Sequence, residues 1–243
     1  MKTNAIIQAR MASTRLPGKV LLPACGKPML ELLVERMRKC RALDGVWMAT
    51  TANPADQAIA DLCESLGVPC HRGSENNVLQ RVLECAVASK TDIIVELTGD
   101  NPLLDPVLVD RMVDIYKQNN YDFVSNILKP GYPHGMIAQV FSANLLQKVN
   151  AAADDPLDQE HVTRYIHRNP ARFSLFSLEP AADQIRPNWR LTLDTPEDYK
   201  LIKIIFENLY PGQPAFSFDD ILGFLDARPE LVKINTHVRQ KSE

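Results

Sequence analysis

The stretch "DIIVELTGDNPLLDPVLVDRMVDIYKQ", residues 92 to 118, decides the fold. Its first part is an apolar run that stops at Gly99 and Asp100, which reads as a buried strand ending in a turn. Its second part reads as a helix, with Asp105 as the capping residue and Pro106 in the first turn, where a missing N–H costs nothing. A strand that hands over to a helix through a short polar turn is the repeating unit of an α/β sheet.

The same alternation runs outward on both sides. Upstream, "NAIIQ" (4–8) and "GVWMATT" (45–51) read as strands, and "VPCHRG" as a short strand entering a turn. Between them, "PMLELLVERMRKC" (28–40) carries Leu30, Leu33, Val34 and Met37 at helical spacing, and "PADQAIADLCESLG" (54–67) is a helix closed by Gly67. "SENNVLQRVLECAVAS" (74–89) is a third helix, with Ser74 expected as its cap. This β-α-β-α order predicts an α/β class fold, a mainly parallel sheet with helices on both faces. Ligands of such sheets bind beyond the carboxyl ends of the strands.

Downstream the pattern loosens. "YDFVSN" is one more strand, and "KPGYPHGMIAQVFS" (129–142) is expected to form a hairpin or flap over the site. "DDPLDQEHVTRYIHRNP" (154–170) is read as helical, and "NWRLTLDTPEDYKLIKIIFENLY" (188–210) as a strand breaking at Asp194 into a helix. Thr195, Pro196 and Asp198 supply a capping-box pattern there, and "DDILGFLDARP" adds a short helix. No repeat or linker composition interrupts the chain, so residues 1–243 are read as one domain with an insertion near 127–142.

Composition restricts what the domain can do. A formal charge of -3, with no basic block, argues against a general nucleic-acid binder, so any cationic site must be local. No apolar run reaches the roughly 18 residues of a membrane span, and no secretory-signal pattern opens the chain. The five cysteines (Cys25, Cys40, Cys63, Cys70, Cys85) never form CxxC and read as space-filling thiols of a reducing, cytoplasmic setting.

Local positive charge is found directly after the first strand. "QARMASTRLPGK" (8–19) places Arg10, Arg15 and Lys19 among Ser13 and Gly18, which reads either as a cradle for a polyphosphate or as a solvated basic loop. It matches neither the P-loop GxxxxGK[ST] nor the dinucleotide GxGxxG. Asp100 and Asp194 end two apolar runs, where a carboxylate suits a magnesium ion beside a phosphate. Each also has a bland reading, Asp100 as a turn residue and Asp194 as a helix start.

Taken together, "QARMASTRLPGKVLLPACGKPMLE", "TGDNPLLDP" and "LTLDTPED" resemble the CTP-dependent sugar-acid cytidylyltransferases, the CMP-sialate and CMP-KDO synthetases. The SpsF-like spore-coat polysaccharide branch adds the likenesses in "RGSENNVL" (72–79) and "EHVTRYIHRNP" (160–170). The resemblance implies a Rossmann-like three-layer αβα nucleotidyltransferase fold and transfer of CMP from CTP to a sugar-acid hydroxyl with loss of pyrophosphate. It also implies Mg2+ on Asp100 and Asp194, with Arg10, Arg15, Lys19 and Asp100 as catalytic residues. Ala9, Ser13, Arg72, Gly73, Ser74, Thr98 and Gly99 join those cations around the nucleotide, and His134, Gly135, Gln139, Glu160 and His161 face the acceptor. A homodimer in which the insertion contributes to the contact is also implied.

The chain departs from that pattern in two places. Asn76, Asn77 and Gln80 stand where relatives carry acids, and His134, Ile137 and Gln139 replace acids of the flap. These changes leave open another nucleotide or a phosphate-bearing acceptor, or a nucleotide-binding partner protein with impaired catalysis.

Overall fold

The computed structural model of the protein describes residues 1–240. In chain order the elements are β1 (Thr3–Gln8), the two-residue strands β2 (Pro23–Ala24) and β3 (Lys27–Pro28), α1 (Met29–Met37), β4 (Gly45–Thr51), α2 (Gln57–Leu66) and β5 (Cys70–Gly73). Then come α3 (Val78–Ala88), β6 (Ile93–Thr98), α4 (Pro106–Gln118), β7 (Phe123–Ser125), β8 (Gln139–Ser142) and α5 (Ala143–Ala152). The rest comprises α6 (Pro156–Glu160), α7 (Arg164–Arg168), β9 (Leu175–Ser177), α8 (Pro196–Leu209), α9 (Phe218–Asp226) and α10 (Pro229–Val232).

Seven strands form one sheet in the order β5-β4-β1-β6-β8-β7-β9. β8 alone runs antiparallel to its neighbours, so the sheet is mainly parallel, as the sequence predicts. Alternate residues of the central strands supply two buried faces. Ile7, Val95, Leu97 and Val140 pack with α1 and α4 through Leu30, Val34 and Met112. Ile6, Ile94, Phe123 and Phe141 pack with α3 and α5 through Val82 and Leu146. A third apolar cluster joins Met29 and Leu32 of α1 to Leu201 and Ile205 of α8 and to Ile221 and Leu225 of α9. Both helical stripes named from the sequence, Leu30/Val34/Met37 and Leu201/Ile205, are therefore core.

Four local expectations are corrected. α3 begins at Val78, and its cap is Asn77, whose side chain accepts from Gln80 N at 2.8 Å. Ser74 instead accepts from Asn77 N at 3.0 Å, closing the turn before the helix. Of the hairpin or flap expected at 129–142 the structure forms the hairpin and no separate flap: Gln139–Ser142 returns antiparallel to β7 as a strand inside the sheet, and Met136, Ala138, Val140 and Phe141 are fully buried within the chain itself. The apolar surface on which the dimer expectation leaned is thus already covered.

The run 190–194 is not a strand of the sheet. It makes one isolated bridge, Arg190 to His134, because Gly135 turns the opposite segment away at φ 108, and Leu191 and Leu193 are buried in the α8–α9 cluster instead. Residues 154–170 hold two short helices rather than one. Thr163 breaks the run and turns its hydroxyl inward to donate to Gln139 Oε1 at 2.7 Å.

Candidate active site

Gly99 brings two loops together at the carboxyl end of the sheet. Its N–H donates to Gln8 O at 2.8 Å, and a Cβ there would lie 2.9 Å from Ala9 Cβ. Only glycine permits this approach, which sets the end of β1 beside Asp100. Buried Ala9 donates to Ala49 O, so the phosphate-loop candidate starts from a fixed point between β4 and β6.

From there the loop folds back on itself. Met11 N donates to Asp56 Oδ1 at 2.6 Å, and Gly18, at φ 69, returns its N–H to Met11 O at 3.0 Å. Ser13 Oγ accepts from Leu16 N at 3.4 Å. Lys19 is thereby delivered at the start of a single 3-10 turn.

The Lys19 ammonium lies between the two carboxylates named from the sequence. Nζ is 2.7 Å from Asp100 Oδ2 and 2.7 Å from Asp194 Oδ1. Arg15 Nη2 reaches Asp194 Oδ2 at 2.9 Å, and Arg190 Nη2 reaches the same oxygen at 2.7 Å. Burial alone would lower the Lys19 pKa, but Asp100 and Asp194 outweigh it and hold the group above its ordinary value. Burial likewise opposes the Asp194 charge, and Lys19, Arg15 and Arg190 together hold that carboxyl below its ordinary value. Lys19, Arg15, Asp100 and Asp194 thus converge from three separate parts of the chain.

The remaining residues named from the sequence divide between two places. Arg10 pairs with Glu160 at 3.7 Å, linking the loop to the end of α6 where His161 follows. Arg72 serves the frame: Nε donates to Thr51 O and Nη2 to Asn53 O at 3.0 and 2.9 Å, pinning β5 to the end of β4. Gly73 O accepts from Ala52 N in the same place. Ser74 O receives the Arg81 guanidinium, and Thr98 Oγ1 accepts from Asn101 Nδ2 at 2.8 Å.

On the other side of Asp100, His134 donates its N–H to Trp189 O and accepts from Leu191 N. Burial, reinforced by Arg190, pulls its imidazole below the ordinary value against the pull of Asp100, Asp194 and Asp198. Gly135 packs against backbone, its missing Cβ giving way to Leu191 C. Both ends of the Gln139 amide are engaged, Oε1 accepting from the Thr163 hydroxyl and Nε2 donating to Glu96 Oε2 at 2.8 Å.

Sequence reading missed three contributors. Arg190 and Asp198 flank Asp194 at four-residue intervals, a spacing visible in "RLTLDTPED", and Arg190 Nε meets Asp198 Oδ1 at 2.9 Å. Glu96 was visible as the lone charge inside the most apolar strand. It is 3% exposed, and burial raises its carboxyl to about 7 despite the amides of Gln139 and Gln8.

The donor set fits magnesium. Mg2+ takes one or two carboxylates and keeps other positions for water and phosphate oxygens. Asp100 and Asp194 already converge on one cation, the Lys19 ammonium. Among the described residues no helix is long and apolar enough to cross a membrane.

Residues 4–216 match the cytidylyltransferase family. The chain is 42% identical, over its whole length and 98% of the other, to an uncharacterized protein of Methanocaldococcus jannaschii. It is 36% identical to the spore coat polysaccharide biosynthesis protein SpsF of Bacillus subtilis, over 93% of this chain and 94% of that one. A solved cytidylyltransferase from Leptospira borgpetersenii superposes with a TM-score of 0.91 at 32% identity, covering 100% of both chains.

Proposed function

This chain belongs to the cytidylyltransferase family, and on that premise we propose that it transfers the cytidylyl group of CTP to a hydroxyl of a sugar acid. The observation that carries the reading is the convergence of Lys19 and Arg15 on Asp100 and Asp194 at the mouth of the sheet. The hydroxyl oxygen attacks the α-phosphorus, the bond to the bridging β-oxygen breaks, and pyrophosphate leaves with its electron pair. The hydroxyl proton passes to solvent.

Such a transfer needs positioning and charge neutralisation more than covalent help from the protein. A triphosphate competes with the two carboxylates for Lys19 and Arg15, which then stabilise charge developing on pyrophosphate. Their departure frees Asp100 and Asp194, and these would hold magnesium, which would supply neutralisation of the polyphosphate and polarisation of the α-phosphate. Arg190 stays shared between Asp198 and Asp194 Oδ2, so Asp100 and the Oδ1 side of Asp194 are left without their lysine and arginine partners and suit a divalent ion.

The acceptor is placed beside His134 and the Arg10–Glu160 pair. That pair is half exposed and holds by at most about 1 kcal/mol, so it opens readily to an acidic sugar. Of the residues that depart from the family pattern, Asn77 caps α3, Gln80 bonds Glu84, and Gln139 bonds Glu96, so these three amides make structural bonds in this chain.

The test is a pyrophosphate-release assay with magnesium across CTP, UTP, ATP and GTP, against a panel of sugar acids and sugar phosphates. Release with CTP and a sugar acid alone supports the reading. Release with another nucleotide, or only with a phosphorylated acceptor, overturns it.

A further inference from the structure

The family match ends at residue 216, yet the chain beyond it returns to the site. α9 packs its apolar face, Phe218, Ile221, Leu222 and Leu225, into the cluster that also holds Leu191 and Leu193. This docking carries the chain back, and Asn235 arrives behind Asp194 with 1% of its surface exposed. Its Nδ2 donates to Arg190 O at 2.9 Å and to Asp198 Oδ1 at 2.8 Å.

Asp198 is the hub of this arrangement. Fully buried, it also accepts from Arg190 Nε at 2.9 Å and Nη2 at 3.1 Å, and from the N–H groups of Asp194 and Thr195 at 3.0 Å each. Arg190 divides its guanidinium between Asp198, Asp194 Oδ2 and Gln240 Oε1. We propose that Asn235 is a positioning residue of the cation site, acting through Arg190 and Asp198 to fix Asp194. It keeps Oδ2 on the guanidinium and leaves Oδ1 toward Lys19.

The physical reason lies in how few donors a buried carboxylate can lose. Without Asn235, the Arg190 carbonyl and one Asp198 oxygen each lose a donor where water does not reach. The guanidinium is then free to give Asp198 the arm it shares with Asp194. Residues that hold a metal ligand in place typically affect metal affinity by about tenfold to a hundredfold.

The inference rests on the reading of Asp194 as a metal carboxylate, and its test separates the two. Manganese binding is followed by electron paramagnetic resonance, with and without CTP, in wild type, Asn235→Ala, Arg190→Lys and Asp194→Asn. Asn235→Ala and Arg190→Lys are expected to weaken manganese about tenfold or more, with CTP affinity measured without metal changed less than twofold. Lower thermal stability with wild-type manganese affinity in Asn235→Ala would make Asn235 a packing residue and overturn the proposal. Should that variant not fold, wild-type affinity in Arg190→Lys overturns it. Unchanged binding in Asp194→Asn removes the metal reading itself, and the proposal falls with it.

Discussion

Glu96 is a carboxyl in the middle of a hydrophobic sheet, between Ile94 and Thr98 on β6. Burial disfavours its charge, and two amides only partly restore it, leaving the group at about 7. A carboxyl whose pKa is higher in the folded than in the unfolded state binds its proton more tightly when folded. Its contribution is therefore complete below the ordinary carboxyl range, near pH 4.3, and is lost as pH rises through about 7. The shift corresponds to about 3 kcal/mol. Glu96→Gln keeps a polar side chain there without a charge to desolvate. Its melting temperature relative to wild type is expected to rise by on the order of 5–10 °C between pH 5 and pH 8. A difference that stays flat with pH would show that Glu96 binds no proton in that range.

At the scale of elements, Gly135 and the run 190–194 form one device. Gly135 holds φ 108, and a Cβ would meet Leu191 C at 2.3 Å, Leu191 O at 2.5 Å and Thr192 N at 2.5 Å. These are backbone atoms of the segment that carries Asp194, so they cannot yield without moving the site. Gly135→Ala is expected to cost more than about 3 kcal/mol in denaturant unfolding. Gly212→Ala, with nothing nearer than Leu209 O at 4.0 Å, is the neutral control. Equal stability of both variants would contradict the close approach. This device also marks where the sequence stopped being readable. Alternating Leu191 and Leu193 have the period of a strand, but a period reports burial and not the partner that provides it. The same holds for "GMIAQVF", whose apolar character came from the centre of the sheet rather than from a flap. The parallel half was legible because its strands alternate with amphipathic helices, two of them opened by side-chain caps at Asn77 and Asp105. Asn77 and Ser74 were confused because both are good caps, and the choice depended on where the preceding turn closed.

For the whole molecule, the sheet brings residues 15, 19, 100 and 194 to one point although nearly the whole chain separates them. The basic loop after β1 pointed to Lys19, and carboxylates closing two apolar runs pointed to Asp100 and Asp194. Asp198 was legible only as a capping-box residue and Arg190 only as a charge four residues before Asp194, while Asn235 carried no local signal, because what these three do is hold other side chains. The central claim is that this cluster exchanges its internal ion pairs for a magnesium-bound cytidine triphosphate. Isothermal titration of CTP, with and without magnesium, into wild type, Lys19→Ala and Asp100→Ala tests it most directly. Wild type is expected to bind CTP more tightly with magnesium than without. Lys19→Ala should weaken binding about tenfold or more in both conditions, and Asp100→Ala should abolish the magnesium enhancement alone. CTP binding that is indifferent to magnesium, to Lys19 and to Asp100 would contradict the account.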